Sequence, residues 1–146
     1  IKKNDIPTID EGNDVLIKVL VGKVKNISSA VQTYSPVSIF DVQFTKPSLI
    51  DLDIPKNQTA MVYVIDGELK FHEDNQIAKK GQMIYFDQSS DMINLTSISP
   101  NGSYLVLAGE PLNEPVVRYG PFVTNTEGDM KQAMLDYQNG KMGTLS

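Results

Sequence analysis

Short β-rich runs, broken by turn residues at intervals of roughly ten positions, fill most of this 146-residue chain and admit few folds. Val15–Val21 ends at Gly22. Val37–Phe44 sets Val37, Ile39, Asp41 and Gln43 on one face against Ser38, Phe40, Val42 and Phe44 on the other. Residues 49–54 place Leu49, Asp51 and Asp53 opposite Ile50, Leu52 and Ile54. Further runs cover 60–65, 68–72, 76–78, Met83–Phe86, 91–97 and 103–108, with turn composition between them, as at 73–75 and 100–102. Successive strand residues point to opposite faces, so a period of two sorts one face toward a core. Eight or nine such strands predict an all-β sandwich or barrel. Asp66-Gly67 between two of the runs predicts a tight hairpin with a type I′ turn, which needs φ > 0 at both central residues.

The ends of the chain differ from this middle. Residues 1–14 are polar, carry Pro7 and Gly12, and read as a linker leading into a barrel that spans 15–109. From 110 to 126 three prolines and no clear period predict an extended arm. One helix is expected over 127–139. Thr126 can cap it, or Thr124 with Glu127 in a capping box. Met130, Ala133, Met134 and Tyr137 form its apolar stripe, and Gly140 ends it. Arm and helix, 110–146, are expected to pack on the barrel.

Composition excludes several functions. The chain has no cysteine and one histidine, which removes disulfides, thiolate metal sites, cysteine nucleophiles and any site needing two imidazoles. A net charge of −5, with no Lys/Arg run longer than two, argues against a nucleic-acid partner. No apolar stretch approaches the roughly 18 residues of a membrane span, and no secretory h-region opens the chain. The expectation is a cytoplasmic domain with no membrane partner. Four Asn-x-Ser/Thr sequons, at Asn26, Asn57, Asn94 and Asn101, carry no weight without such a signal.

Two stretches resemble the pirin family of the cupin superfamily. LAGEPLNEPVVRYGPFVTNTEGDMKQAMLDYQNGKMG, residues 107–143, is similar to the closing segment of pirin C-terminal domains, and AMVYVIDGELKF, 60–71, to the central cupin hairpin. The resemblance implies a cupin double-stranded β-helix, a jelly-roll-like barrel, with one C-terminal helix. It also implies a parent chain with a second, N-terminal cupin barrel as partner of this one. In the family that barrel holds iron or another divalent transition metal through histidines and a glutamate. Some members act as quercetin 2,3-dioxygenases, with a flavonoid-like ligand, and others are described as nuclear regulators of transcription factors.

The cupin metal motifs can be laid on this chain residue by residue. With the first anchored on Gly67, the glutamate slot falls on Ala60, and the histidine slots on Asp53 and Pro55 or on Ile54 and Lys56. With the second anchored on Gly81, its histidine slot falls on Met92. None holds the expected ligand, so no cofactor and no catalytic residue is expected in this chain. The expected role is a non-catalytic C-terminal domain, its parent a quercetin 2,3-dioxygenase-like enzyme by resemblance. The alternatives are a stand-alone binding module and, more weakly, a metal-free cupin isomerase.

Other candidates are weighed against plainer roles. His72 offers a general base or lone ligand, but its turn composition points to a solvated histidine. Asp51 and Asp53, with Asp87 and Asp91, offer a hard-cation or acid/base cluster, against carboxylates that keep strand ends wet. Tyr63, Phe71, Tyr85, Phe86 and Tyr104 offer an aromatic-lined pocket for a flat apolar ligand or fill the core, the second being favoured. Arg118, Tyr119, Phe122, Met130, Met134 and Tyr137, with Pro121, are the candidates for contact with a further domain, since Arg and aromatics anchor interfaces, against an equal reading in which they latch the arm onto their own barrel.

Overall fold

A computed structural model describes residues 2, 5–12, 14–71, 76–86 and 92–143, which fall into two compact units, Ile1–Pro111 and Leu112–Ser146. Strands are numbered in chain order. In the first unit a six-stranded sheet runs β1 (Thr8–Asp10), β2 (Val15–Val21), β5 (Val37–Phe44), β12 (Gly102–Gly109), β7 (Thr59–Asp66), β10 (Met83–Phe86). A four-stranded sheet runs β6 (Ser48–Asp53), β11 (Met92–Ser97), β8 (Glu68–Phe71), β9 (Gln76–Lys79). All pairings are antiparallel. From β5 onward the chain passes back and forth between the sheets, the double-sheet jelly-roll plan.

The alternating pattern explains the sandwich. Val15, Ile17 and Val19 of β2, Phe40, Val42 and Phe44 of β5, and Val62 and Val64 of β7 are buried. They join Ile50 and Leu52 of β6, Ile93 and Leu95 of β11 and Leu69 of β8 in one core cluster. The intervening residues face outward, as a period of two requires.

Asp66-Gly67 is a correction. β7 and β8 do not pair; they belong to different sheets, so this turn is a corner between layers. Gly67 has φ +84, and Asp66 is not among the residues with positive φ, so the two-residue type I′ requirement is not met. A bulge on β7 at Ile65, between the pairs Tyr104↔Val64 and Ser103↔Asp66, bends the strand out of its sheet. Gly67 is required there for space too, because a Cβ would sit 2.7 Å from the Asn101 carbonyl oxygen.

Other strands are absent from the sequence reading. The lead-in residues contribute β1, whose Ile9 packs against the core opposite Ile17. After Gly22, β3 (Lys23–Val24) and β4 (Ile27–Ser28) form a small ribbon. Three-residue and two-residue strands are too short for periodicity to register.

In the second unit, residues expected as an extended arm contain a hairpin of β13 (Val117–Tyr119) and β14 (Phe122–Thr124). Helix α1 (Glu127–Gln138) follows and packs on it, with Phe122 and Tyr137 in an edge-to-face contact at 5.7 Å. Thr126 is the cap: its Oγ1 accepts from the Asp129 N–H at 3.1 Å. Thr124 instead donates to the Thr126 carbonyl, so the capping box with Glu127 does not form. Gly140, at φ +69, follows the C-cap Asn139. Among the described residues no helix is long and apolar enough to cross a membrane.

Tyr104 joins the two sheets. It lies on β12 with no exposure, and its hydroxyl donates to the Glu68 carbonyl of β8 at 2.9 Å. The buried Ser97 hydroxyl of β11 hydrogen-bonds the Tyr104 hydroxyl at 2.9 Å, and Phe44 packs edge-to-face on the ring at 5.5 Å. Burial pushes the Tyr104 hydroxyl above its ordinary pKa, with the Ser97 hydrogen bond opposing and Asp66 and Glu68 adding to the rise. A raised folded pKa means that the stabilisation is complete below the unfolded value near 10 and is lost as pH rises through the folded value. Tyr104→Phe should therefore cost about 1–3 kcal/mol between pH 6 and 9, because it leaves Ser97 without its buried partner. The difference from the unsubstituted protein should shrink above about pH 10. Urea unfolding of both proteins across that range checks this.

Candidate functional site

A cleft of about 820 Å³ opens in the first unit. Strand register locates it. Val37 of β5 and Thr59 of β7 both pair with Gly109, whereas Phe44 pairs with Gly102. The cleft is lined by the start of β5, the end of β6 and the turn before β7, so it lies at the sandwich end away from the Tyr104 contact. Core side chains Ile17, Phe40, Ile50, Leu52 and Ile54 contribute its apolar lining. The β3–β4 ribbon supplies another wall. It leaves β2 through Gly22, at φ +85, where a Cβ would lie 2.6 Å from the Val37 carbonyl oxygen.

Two buried oxygen atoms on the cleft have no hydrogen-bond partner. Residues 55–58 make a tight turn, closed by the Gln58 N–H donating to the Pro55 carbonyl at 2.8 Å. The turn carries Gln58 into the cleft wall, where it is only 7% exposed and its Oε1 has no hydrogen-bond partner. Glu11 lines the same cleft. Its Oε2 pairs with the Lys25 ammonium, while its Oε1 is buried and unpartnered. Buried acceptors are normally paired, so two such atoms on one cleft are unusual.

Of the sequence candidates, Asp51 and Asp53 border the cleft, both exposed on β6, and Asp51 accepts from Asn94 Nδ2 at 2.6 Å. His72, Asp87, Asp91 and the 73–75 turn lie outside the described residues. The five aromatics do not gather into a pocket. Tyr63 and Tyr85 face outward, Tyr85 being 66% exposed; Tyr104 fills the core; Phe71 and Phe86 meet edge-to-face at 6.3 Å beside it. Arg118, Tyr119 and Tyr137 are exposed in the second unit, and Phe122 and Met134 are half-buried. Met130 is buried, which leaves its side chain little surface for a further domain.

Gln58 is the residue that sequence reading missed. It stands in Asn57-Gln58-Thr59, a polar string of turn composition, and nothing in that string signals burial. Only the turn's closure turns the amide inward.

The cupin ligand slots can now be tested for a metal. Ala60 and Ile54 are buried and offer hydrocarbon; Met92 and Asp53 are opposed across β6 and β11 and both are exposed. Among the described residues no three His, Cys, Asp or Glu side chains converge. The donor set does not fit a transition metal.

Comparison with known proteins agrees with the fold. Residues 39–143 match the family model of the pirin C-terminal cupin domain. Pirin-1 of Arabidopsis thaliana is 35% identical over 142 residues, covering 95% of this chain and 49% of that protein. Pirin of Mus musculus is 34% identical over 145 residues, covering 98% of this chain and 50% of its own length. The crystal structure of quercetin 2,3-dioxygenase from Acinetobacter baumannii superposes with a TM-score of 0.89 at 30% identity, over 100% of this chain and 50% of that one. The chain thus spans about half the length of the curated relatives it matches.

Fe²⁺, Ni²⁺ or Zn²⁺ should leave the thermal midpoint of the domain within about 1 °C. A specific site filled at a hundred times its Kd would add about 2.7 kcal/mol and raise the midpoint by roughly 5–10 °C. Differential scanning calorimetry with and without each metal decides between these outcomes.

Proposed function

This chain belongs to the pirin family, as a C-terminal cupin domain, and from that premise we propose that it is the non-catalytic half of a two-barrel protein. The observation that carries this reading is the donor set. The cupin slots hold Ala60, Met92 and either Asp53 with Pro55 or Ile54 with Lys56, and the inward-facing ones are apolar. Oxygen activation needs a redox metal with an open coordination position, and a protein must supply ligands to hold it. In this reading the metal, iron or another divalent transition ion, belongs to an N-terminal barrel, as does a flavonol substrate such as quercetin. The likeness to the Acinetobacter baumannii enzyme supports that assignment of the parent's chemistry.

The domain's part is then to pack against that barrel. The second unit has the right surface. Leu112, Val116, Tyr119, Val123, Leu135 and Tyr137 are each half exposed or more, a density of apolar groups that marks interaction sites. Arg118 and Tyr119 stand together on β13, and Tyr137 and Met134 lie on α1. The Phe122–Tyr137 edge-to-face contact joins β14 to α1 within that unit.

A second reading, a stand-alone cupin binding module, is favoured by the cleft and its unpartnered Gln58. The coding sequence upstream of Ile1 separates the two. The first reading expects a second barrel there with His-x-His and Glu, and that barrel, supplied as a separate chain, should bind this domain in analytical ultracentrifugation. Arg118→Ala with Tyr119→Ala should weaken the association by about tenfold or more. A start codon within a few residues of Ile1, or no association, would favour the binding module instead.

A further inference from the structure

We propose that the cleft between the β3–β4 ribbon and the turn at 55–58 binds a small, uncharged molecule with an apolar body and hydroxyl donors, read by Gln58. This inference stands apart from the domain-partner reading, because every residue it uses lies in the first unit. It holds whether or not a second barrel exists.

The cleft's size, about 820 Å³, falls within the range of small-molecule sites, roughly 300–1,000 Å³. Its apolar wall, Ile17, Phe40, Ile50, Leu52 and Ile54, is part of the packed core, so it is preformed and rigid. Such walls take hydrocarbon, and the few polar groups among them fix orientation.

Those polar groups ask for donors. Gln58 Oε1 is an acceptor, buried and unpartnered. Glu11 Oε1 is a second, its partner oxygen already held by Lys25. Buried acceptors without donors are costly to keep, and a ligand O–H supplies what each lacks. Glu11, Asp51 and Asp53 set three carboxylates on the cleft against the ammonium groups of Lys23 and Lys25, which disfavours an anionic ligand. Lys25 is in addition engaged by Glu11. The preferred ligand is therefore neutral, with hydroxyl groups on an alicyclic or similarly apolar frame.

The probes are cyclohexane-1,2-diol, its dimethyl ether and cyclohexanecarboxylate, which share a body and differ in donors and charge. Binding is read by methyl NMR on the whole chain, at Ile17, Ile50, Leu52 and Ile54. The diol should shift these methyls and bind about three- to tenfold more tightly than the ether or the carboxylate, the span expected for neutral hydrogen bonds. Gln58→Leu should bring the diol-to-ether ratio to about one while leaving ether binding within about twofold, and it should not lower the thermal midpoint. Should Gln58→Leu not fold, Glu11→Gln gives the second test. It keeps the side-chain shape, removes the charge, and should reduce the discrimination against the carboxylate by about threefold or more. Absence of shifts at these methyls with tens of millimolar diol, equal binding of diol and ether, or a preference that survives Gln58→Leu would overturn the proposal.

Discussion

The buried Tyr104 hydroxyl ties the two sheets together, and the arrangement of the first unit follows from where that tie sits. Its ring belongs to the six-stranded sheet, while Glu68 and Ser97, its hydrogen-bond partners, belong to the other. The contact leaves no room for side chains nearby. A Cβ on Gly102 would lie 2.4 Å from the tyrosine oxygen, and one on Gly67 would strike the Asn101 carbonyl. Two glycines, a bulge and a hydroxyl thus close one end of the sandwich, where the chain turns from β7 into β8. With this end sealed, space is left at the other, where the β3–β4 ribbon and the turn at 55–58 stand apart from the core layers.

That polarity separates structure from recognition. The closed end is a hydrogen-bonded network with its polar atoms paired, which rigidifies a core. The cleft end has buried oxygens on Gln58 and Glu11 that pair with nothing. The positions at which cupins hold a metal fall at the cleft end too, around residues 53–60, but here those facing inward are Ile54 and Ala60. Hydrocarbon there strengthens the core and removes the donors that redox chemistry requires.

Long strands were legible in the sequence because each buries one face. Val37–Phe44 lies where the period of two places it, Val15–Val21 and Met83–Phe86 where β-rich runs beside Gly22 and Gly81 place them, and the helix runs Glu127–Gln138 against an expected 127–139. What escaped depends on distant contacts. Asp66-Gly67 has the local chemistry of a hairpin, yet the bulge at Ile65 and the space beside Asn101 make it a corner. Residues 8–10 form a strand because β2 offers them a free edge. Tyr85 and Tyr104 look alike in their strands, and only register decides that one faces solvent and the other the core. Gln58 was invisible for the same reason: its burial comes from a turn closing against Pro55.

The proposal is a division of labour, in which this domain supplies packing surface and a cleft while redox chemistry belongs to a further barrel. Oxygen consumption with quercetin tests it most directly, on the purified domain loaded with Fe²⁺, Cu²⁺, Mn²⁺ or Co²⁺ against a metal-only blank. The account predicts a rate equal to the blank for every metal. Turnover above the blank by this chain alone, abolished by Asp51→Asn with Asp53→Asn or by His72→Ala, would contradict it.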